Sequence, residues 1–465
     1  MDIILINPPY NKELYKSKKS ISVQPPVGLA YLASTLEKEG INVEILDANA
    51  EMLSIQDTAD RAISSRARFV GITSVTTTIP LVYEISHKIK AESGITIVLG
   101  GPHVTFMAKR TLNECNAVDI IVRGEGEITL AEIIKHEDEL SKVDGITFRD
   151  GKIIVENKER MPIQNIDEIP FPAYHLLPME LYQPGPFFNV GVSGRKFGRM
   201  IASRGCPNKC VFCSSSHFWG KFRMRSPDNI IEEIEHLIEI FGTKHIDFLD
   251  DTLTINKKRM ERICDILIQK DIHIAWTCYS RVNTISDSLV RKMKRSGCFG
   301  ISFGIESGNQ RILDNINKNI TIEQARKAMK IVKKHGIKVM CDFMIGLPGD
   351  DLNTVNQTID FAVELSPDFA FFSITTPFPG TELYQKVLEK GLIESNYAWD
   401  AMNLHSSTIY RTEKLSTKEL QELYSKAIKR FYYRPKFFAQ ALKRIIRNPK
   451  EIKGYASGGK HLLAG

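Results

Sequence analysis

The sequence predicts an α/β protein: a doubly wound parallel sheet, then a partial barrel of six βα units, then a helical C-terminal region. Three observations predict it. Short apolar runs alternate with helical patterns over residues 1–140, and again over residues 196–395. A proline-rich connector with one small hairpin separates the two series, over 141–195. The last stretch, 396–465, is helical, aromatic and basic. A chain of 465 residues exceeds one ordinary core, which agrees with several domains.

In the first series, runs at 3–6, 43–46, 69–73, 95–99 and 119–122 read as strands. Helical patterns at 27–40, stopped by Gly40, and at 80–90 separate some of them. Together they give a Rossmann-like sheet, which binds ligands beyond the carboxyl ends of its strands. Those ends carry Asn7-Pro8-Pro9, Asp47, Thr73-Ser74-Val75, Gly100-Gly101-Pro102-His103 and Gly124-Glu125-Gly126-Glu127. Small and hydroxylated residues there let a large ligand approach the backbone. The connector starts with a hairpin turned by Asp150-Gly151 and continues as proline-rich text. In the second series, strands are predicted at 199–203, 245–249, 273–278, 299–304, 338–345 and 369–374. Helices near 228–241, 257–269, 286–295, 322–335 and 352–365 lie between them, the arrangement of a TIM-type barrel.

Composition narrows the class. A chain 43% hydrophobic and 25% charged is globular. It holds no apolar run of membrane-spanning length. The N-terminus reads as a buried strand and a turn rather than a signal peptide, so a cytoplasmic location is expected. The net charge of +7 is concentrated: Lys429 to Gly454 hold nine Lys or Arg and one Glu. The basic balance therefore belongs to the tail. With no RNA-binding module visible, nucleic acid is not an expected partner. Eight cysteines are too few for a disulfide framework, and three of them cluster.

That cluster is Cys206-x3-Cys210-x2-Cys213, just after the first barrel strand, where barrel chemistry collects. Three thiols on one loop fit three corners of a 4Fe–4S cube, leaving one iron open. A zinc site completed by His217 is the alternative, but zinc motifs usually arrive as two separated pairs and no second pair exists.

The motif resembles the signature of radical S-adenosylmethionine enzymes. The resemblance implies an open iron that binds the amino and carboxylate groups of S-adenosylmethionine, whose reductive cleavage gives a 5′-deoxyadenosyl radical. It implies that Cys206, Cys210 and Cys213 are the metal ligands and that Phe212 lies beside the adenine. Asp250 or Asp251, after the second strand, would face the site; a helix cap or surface pair is the plain alternative. Glu306, in Gly304-Ile305-Glu306-Ser307-Gly308, matches a carboxylate that the family uses near the ribose or amino group of S-adenosylmethionine. Arg281, after the third strand, could pair with a substrate carboxylate or form a surface salt bridge. Residues 346–350 and 377–384 match family text after strands five and six.

The N-terminal region also has a likeness. Pro25-Pro26-Val27-Gly28-Leu29-Ala30, Thr73-Ser74, Gly100-Gly101-Pro102-His103 and Gly124-Glu125-Gly126-Glu127 resemble the cobalamin-binding domain found ahead of such barrels. This implies cofactor contacts at Thr73, Ser74, Gly100, Gly101, His103, Gly124 and Glu125. One departure matters: Asn7-Pro8-Pro9-Tyr10 stands where many cobalamin domains carry the cobalt-binding His of Asp-x-His-x-x-Gly. His103 reads as a polar cofactor contact or a structural residue more readily than as its substitute.

The resemblance implies a C-methyltransferase acting at an unactivated carbon with a cluster, S-adenosylmethionine and cobalamin. The alternatives are an oxidative cyclase of the anaerobic magnesium-protoporphyrin monomethyl ester type or a lipid C–C bond former, and, in another class, a non-catalytic cobalamin- or metal-binding regulator. A tRNA methylthiotransferase would need a second cluster from N-terminal cysteines, and residues 1–150 hold only Cys115. Expected partners are a small-molecule substrate, a lipid or tetrapyrrole among the options, and an electron donor such as ferredoxin or flavodoxin. The basic tail has two readings: a helix packed on the barrel, or a peripheral contact with an anionic membrane.

Overall fold

The computed structural model describes residues 1–9, 23–183, 196–394, 397–404 and 409–447. Tyr10, the prolines at 184 and 186 and the tail beyond Arg447 lie outside them. Strands β1 (Ile3–Asn7), β2 (Val43–Asp47), β3 (Phe69–Thr73), β4 (Thr96–Gly100) and β5 (Ile120–Val122) are mutually parallel, in the order β2-β1-β3-β4-β5. Each is almost wholly buried, as a sheet covered on both faces must be. Helices α1 (Val27–Lys38), α2 (Ile55–Ser64), α3 (Ile79–Glu92), α4 (Pro102–Glu114) and α5 (Glu127–Lys135) cover them. The strand order reverses between β1 and β3, so the sheet has the crevice predicted for a ligand.

The hairpin assigned to the connector instead belongs to this sheet. Strands β6 (Ile146–Asp150) and β7 (Ile153–Glu156) extend it antiparallel beyond β5, in the register Ile120↔Phe148 and Val122↔Ile146. The pairing satisfies the edge of β5 and buries Ile146 and Phe148 in the core.

The second sheet has six parallel strands in simple sequential order. They are β8 (Phe197–Met200), β11 (His245–Phe248), β12 (Ala275–Ser280), β13 (Cys298–Glu306), β14 (Lys338–Ile345) and β15 (Phe369–Ile374). A two-residue pair, β9 (Ser203–Arg204) with β10 (Arg223–Met224), closes the loop between β8 and its helix. The first strand was expected at 199–203 but ends at Met200. The Ala202 N–H leaves the ladder to bond the Asp250 carboxylate at 3.0 Å. Helices α6 (Ser215–Phe218), α7 (Pro227–Phe241), α8 (Lys257–Gln269), α9 (Asp287–Arg295), α10 (Gln310–Asn315), α11 (Ile322–Lys334), α12 (Leu352–Leu365) and α13 (Glu382–Glu389) follow in turn. The last described helices are α14 (Thr417–Tyr432) and α15 (Pro435–Arg447).

One hydrophobic core runs from the first sheet into the barrel. The connector is wedged between them. Tyr174 is 1% exposed and its hydroxyl donates to Glu233 Oε1 on α7 at 2.7 Å, while the neighbouring Ala173 N–H bonds the Ala30 carbonyl on α1 at 2.9 Å. Packing of this kind fixes the carboxyl ends of the two sheets against each other.

Candidate active site between two sets of strand ends

The loop after β9 carries the three thiols. Cys206 and Cys213 are half-buried, Cys210 is buried, and none is in a disulfide. Burial and the neighbouring Asp251, Cys210 and Cys206 push the Cys213 thiol up to about 11. A raised thiol is a poor nucleophile; a metal that displaces its proton is what suits it. Asn208 Nδ2 donates to Cys206 Sγ at 3.3 Å, and Arg281 Nη1 lies 3.8 Å from Cys210 Sγ. Both donors are aimed at sulfurs of the triad. The set fits a cluster held by three cysteines.

Arg281 was expected to meet a substrate carboxylate or to sit in a surface pair, and it is buried rather than in a surface pair. It is 6% exposed and holds Cys210 Sγ and the Lys318 carbonyl, joining the thiol loop to the segment after α10. Asp250 also differs from expectation. It is 1% exposed, accepting from the Ala202 N–H and the Ser203 hydroxyl. It braces the chain entering the thiol loop, while Asp251 accepts from Ser215 on the loop's far side.

Glu306 closes β13. Its φ is +68°, and the pairing with β14 slips between Gly304 and Glu306. This bulge turns its carboxylate onto Lys318 Nζ, 2.5 Å away, with both side chains buried. Lys318 stands 5.7 Å from the Phe212 ring centre, so Phe212, Lys318 and Glu306 form one contiguous group beside the thiols. Asp342 on β14 completes it. Its burial and the nearby Glu306 charge push its carboxyl up to about 7, and Ser302 donates to it at 2.8 Å. Lys318 carried no motif in the sequence.

At the first sheet, a cavity of about 280 Å³ opens beyond β1, β3, β4 and β5. Gly28, Thr73, Gly100, Gly101, Gly124 and Glu125 line it. A Cβ on Gly28, Gly100 or Gly124 would meet no protein atom within 4 Å, so each leaves open space on the cavity wall. That is a cradle for a large ligand laid against backbone. Phe218 and Trp219, just past the thiols, form its opposite wall. A second cavity of about 330 Å³ lies between Val75, Thr76 and Thr77 on one side and Phe212, Pro379 and Asn403 on the other.

Three residues expected at the cofactor are bonded to other parts of the chain. Ser74 donates both its N–H and its hydroxyl to the Gly100 carbonyl at 2.9 Å, tying the ends of β3 and β4 together. Glu125 lines the cavity, but its carboxylate is bound by Arg204 and Arg223. His103 is 2% exposed, with Nδ1 3.2 Å from Thr76 Oγ1 and its ring edge-on to Trp399 at 4.6 Å. Burial pushes its imidazole down to about 4, so it is neutral. Gly101 is structural as well: φ is +103°, and a Cβ there would fall 2.5 Å from the Ser74 carbonyl oxygen. At the place of the missing cobalt-binding motif, Asn7 bonds Asp47 at 2.8 Å.

Two strand-end faces, one with a thiol triad and one with a glycine-lined cradle, define an enzyme that joins an iron–sulfur cluster to a large second cofactor. Comparison with known proteins agrees with that class. Residues 200–362 match the Radical SAM superfamily and residues 19–134 match the B12 binding domain. An uncharacterized methyltransferase of Pyrococcus horikoshii is 38% identical over 445 residues, covering 94% of this chain and 93% of that protein. The anaerobic magnesium-protoporphyrin IX monomethyl ester cyclase of Rubrivivax gelatinosus is 32% identical, over 79% of this chain and 67% of the cyclase. The fold matches the radical S-adenosylmethionine methyltransferase TsrM of Kitasatospora setae with a TM-score of 0.71, at 16% identity, over 93% of this chain and 89% of that one. It matches the cobalamin-dependent enzyme OxsB with a TM-score of 0.74, at 18% identity, over 99% and 71%. The chain belongs to the cobalamin-binding radical S-adenosylmethionine enzymes. Its cofactors are a 4Fe–4S cluster, S-adenosylmethionine and cobalamin.

Proposed function

We propose that this protein methylates a carbon that is not nucleophilic in a small-molecule substrate. The observation that carries the reading is the shared cavity: Phe218 and Trp219 of the thiol loop face Gly100 and Gly124 of the cradle across one space. When bound, the cofactors supply a 5′-deoxyadenosyl radical from the cluster side and a methyl group from the cobalamin side. The protein's part is to hold, orient and exclude water. Cys206, Cys210 and Cys213 hold the cluster. Glu306 and Lys318, with Phe212 beside them, orient S-adenosylmethionine. Thr73, Gly100, Gly101 and Gly124 would border cobalamin. The second cavity, with the hydroxyls of Thr76 and Thr77 opposite Phe212, receives the substrate.

Relatives include methyltransferases for bacteriochlorophyllide d and for cytidylyl-2-hydroxyethylphosphonate, so related chains serve unlike substrates. A cyclase reading has in its favour three anaerobic magnesium-protoporphyrin IX monomethyl ester cyclases among the relatives, the Rubrivivax gelatinosus enzyme at 32% identity. The coverage favours methyl transfer: this chain spans 93% of the Pyrococcus horikoshii methyltransferase but 67% of that cyclase. An electron donor of the ferredoxin or flavodoxin kind would reduce the cluster. Among the described residues no helix is long and apolar enough to cross a membrane. Phe438, Leu442 and Ile446 line one exposed stripe of α15, which suits a peripheral contact.

The test is anaerobic reconstitution with iron, sulfide and cobalamin, then mass spectrometry of the products formed from S-adenosylmethionine with a small-molecule extract. 5′-Deoxyadenosine together with S-adenosylhomocysteine is expected. 5′-Deoxyadenosine alone would favour cyclisation, and failure to retain cobalamin would overturn the reading of the first domain.

A further inference from the structure

We propose that Arg204 and Glu125 are positioning residues: through a buried four-ion clamp they set the separation between the cluster loop and the cobalamin cradle. The inference rests on the functional reading above. Arg204 lies on β9, two residues before Cys206. Its guanidinium reaches Glu125 Oε1 at 2.5 Å and also holds Glu127 Oε1. Arg223 lies on β10, directly opposite Arg204 in the ladder, and reaches Glu125 Oε2 at 2.7 Å. The two carboxylate oxygens of Glu125 are thus taken by two guanidiniums. One comes from the strand that enters the thiol loop, the other from the strand that leaves it.

The anchor on the other side is the cradle itself. Glu125 stands on the turn after β5 and Glu127 opens α5, beside Gly124 and Gly126, and all four residues line the cavity. All four charged side chains are between 4% and 7% exposed. Arg204 is also held between rings, 5.5 Å from the Tyr31 centre and 5.2 Å from the Trp219 centre. The Ile163 N–H donates to Glu125 Oε2 at 2.9 Å and the Ile163 carbonyl accepts from Arg223 at 2.6 Å, so the connector is locked into the same knot.

Two cations and two anions cancel, so the cluster is electrostatically closed. It is nevertheless a costly way to hold two domains together, because taking four charges from water offsets most of their attraction. Apolar residues of the same volume would hold as well. What they would lack is direction: a guanidinium gripping two carboxylates, and a carboxylate gripped by two guanidiniums, tolerate little sliding. Direction has value where two cofactors must meet one substrate, since a misplacement near 1 Å costs on the order of 100-fold in rate.

The test uses the reconstituted full-length holoenzyme carrying reduced cluster and cob(II)alamin, both paramagnetic. Their magnetic interaction, read by electron paramagnetic resonance relaxation and pulsed dipolar spectra, reports the cluster–cobalt separation. R204K keeps the charge and loses the fork. The expected result is full iron and cobalamin content with an altered or broadened interaction, and methylated product lowered on the order of 100-fold. An interaction unchanged in R204K with both cofactors bound would overturn the proposal. Should R204K lose a cofactor, E125Q, which keeps the side-chain shape and removes the charge that bridges both strands, is measured in the same way and judged by the same two results. If the wild-type protein binds no cobalamin, the functional reading fails instead. The clamp is then judged by amide exchange at 124–127 in R204K, where unchanged protection would refute it.

Discussion

Gly100 and Gly101 are neighbours with opposite jobs, and substitution separates them. Gly100 ends β4 with ordinary backbone geometry, and a Cβ there meets no atom within 4 Å. A valine suits a strand end, and replacing glycine removes about 0.5–1 kcal/mol of unfolded-state entropy. Gly100→Val should therefore fold as well as the wild type. Its branched side chain must enter the 280 Å³ cavity, where the ligand needs the space. Overfilling a packed site costs roughly 1–3 kcal/mol, which is about 5- to 150-fold in Kd for cobalamin. Gly101→Ala reverses the pattern. With φ at +103° and the new Cβ 2.5 Å from the Ser74 oxygen, strain of roughly 1–3 kcal/mol falls on the fold, and relief of the clash adds to it. The assay is an absorbance titration with cobalamin beside urea denaturation of the cofactor-free protein. The cradle argument is refuted if Gly100→Val binds cobalamin with undiminished affinity, or if it loses stability while Gly101→Ala does not.

Three further outcomes follow from the other side chains. Lys318→Met leaves Glu306 buried without its cation, which should cost about 3–5 kcal/mol in urea denaturation and weaken S-adenosylmethionine binding; unchanged values for both would remove the pair from the site. Asp342 has its folded pKa raised to about 7, so its protonated form contributes stability fully below about pH 4, lost as pH rises through about 7. Asp342→Asn should flatten that part of the stability profile, and denaturation series from pH 4 to pH 8 with parallel slopes for both proteins would contradict it. His103→Phe should leave the cob(II)alamin resonance unchanged, because the imidazole is buried at Thr76 and edge-on to Trp399, away from the residues that line the cradle. Loss of a nitrogen hyperfine pattern in that variant would show cobalt ligation after all.

The strands were legible because each is a short apolar run, and the thiol triad because its three members fall within eight residues of sequence. The strand ends that matter could be named, since a parallel sheet has one functional edge. Which side chain at an edge faces the cofactor could not. Asp250 and Asp251 differ by one residue, and the buried member was chosen by a bond to the Ala202 N–H, 48 positions earlier. Glu125 looked like a cofactor ligand because it stands among glycines at the cradle. Its partner Arg204 lies 79 residues away, and nothing in either segment announces the other. The hairpin was misplaced for a related reason: its turn is local, but the strand it pairs with is set by the exposed edge of β5. Arg281 came down beside Cys210, 71 residues away, by the same kind of long-range docking. The Glu125–Arg204 pair depends on the two sheets meeting and the others on strand ends brought side by side within one sheet or barrel; no window of sequence contains either. Such long-range bonds decide whether a charged residue at a strand end is free to touch a ligand or is already spent on holding the two faces in register. At the cradle Glu125 and Glu127 are spent in this way, and the open wall of the cavity is glycine at 28, 100 and 124.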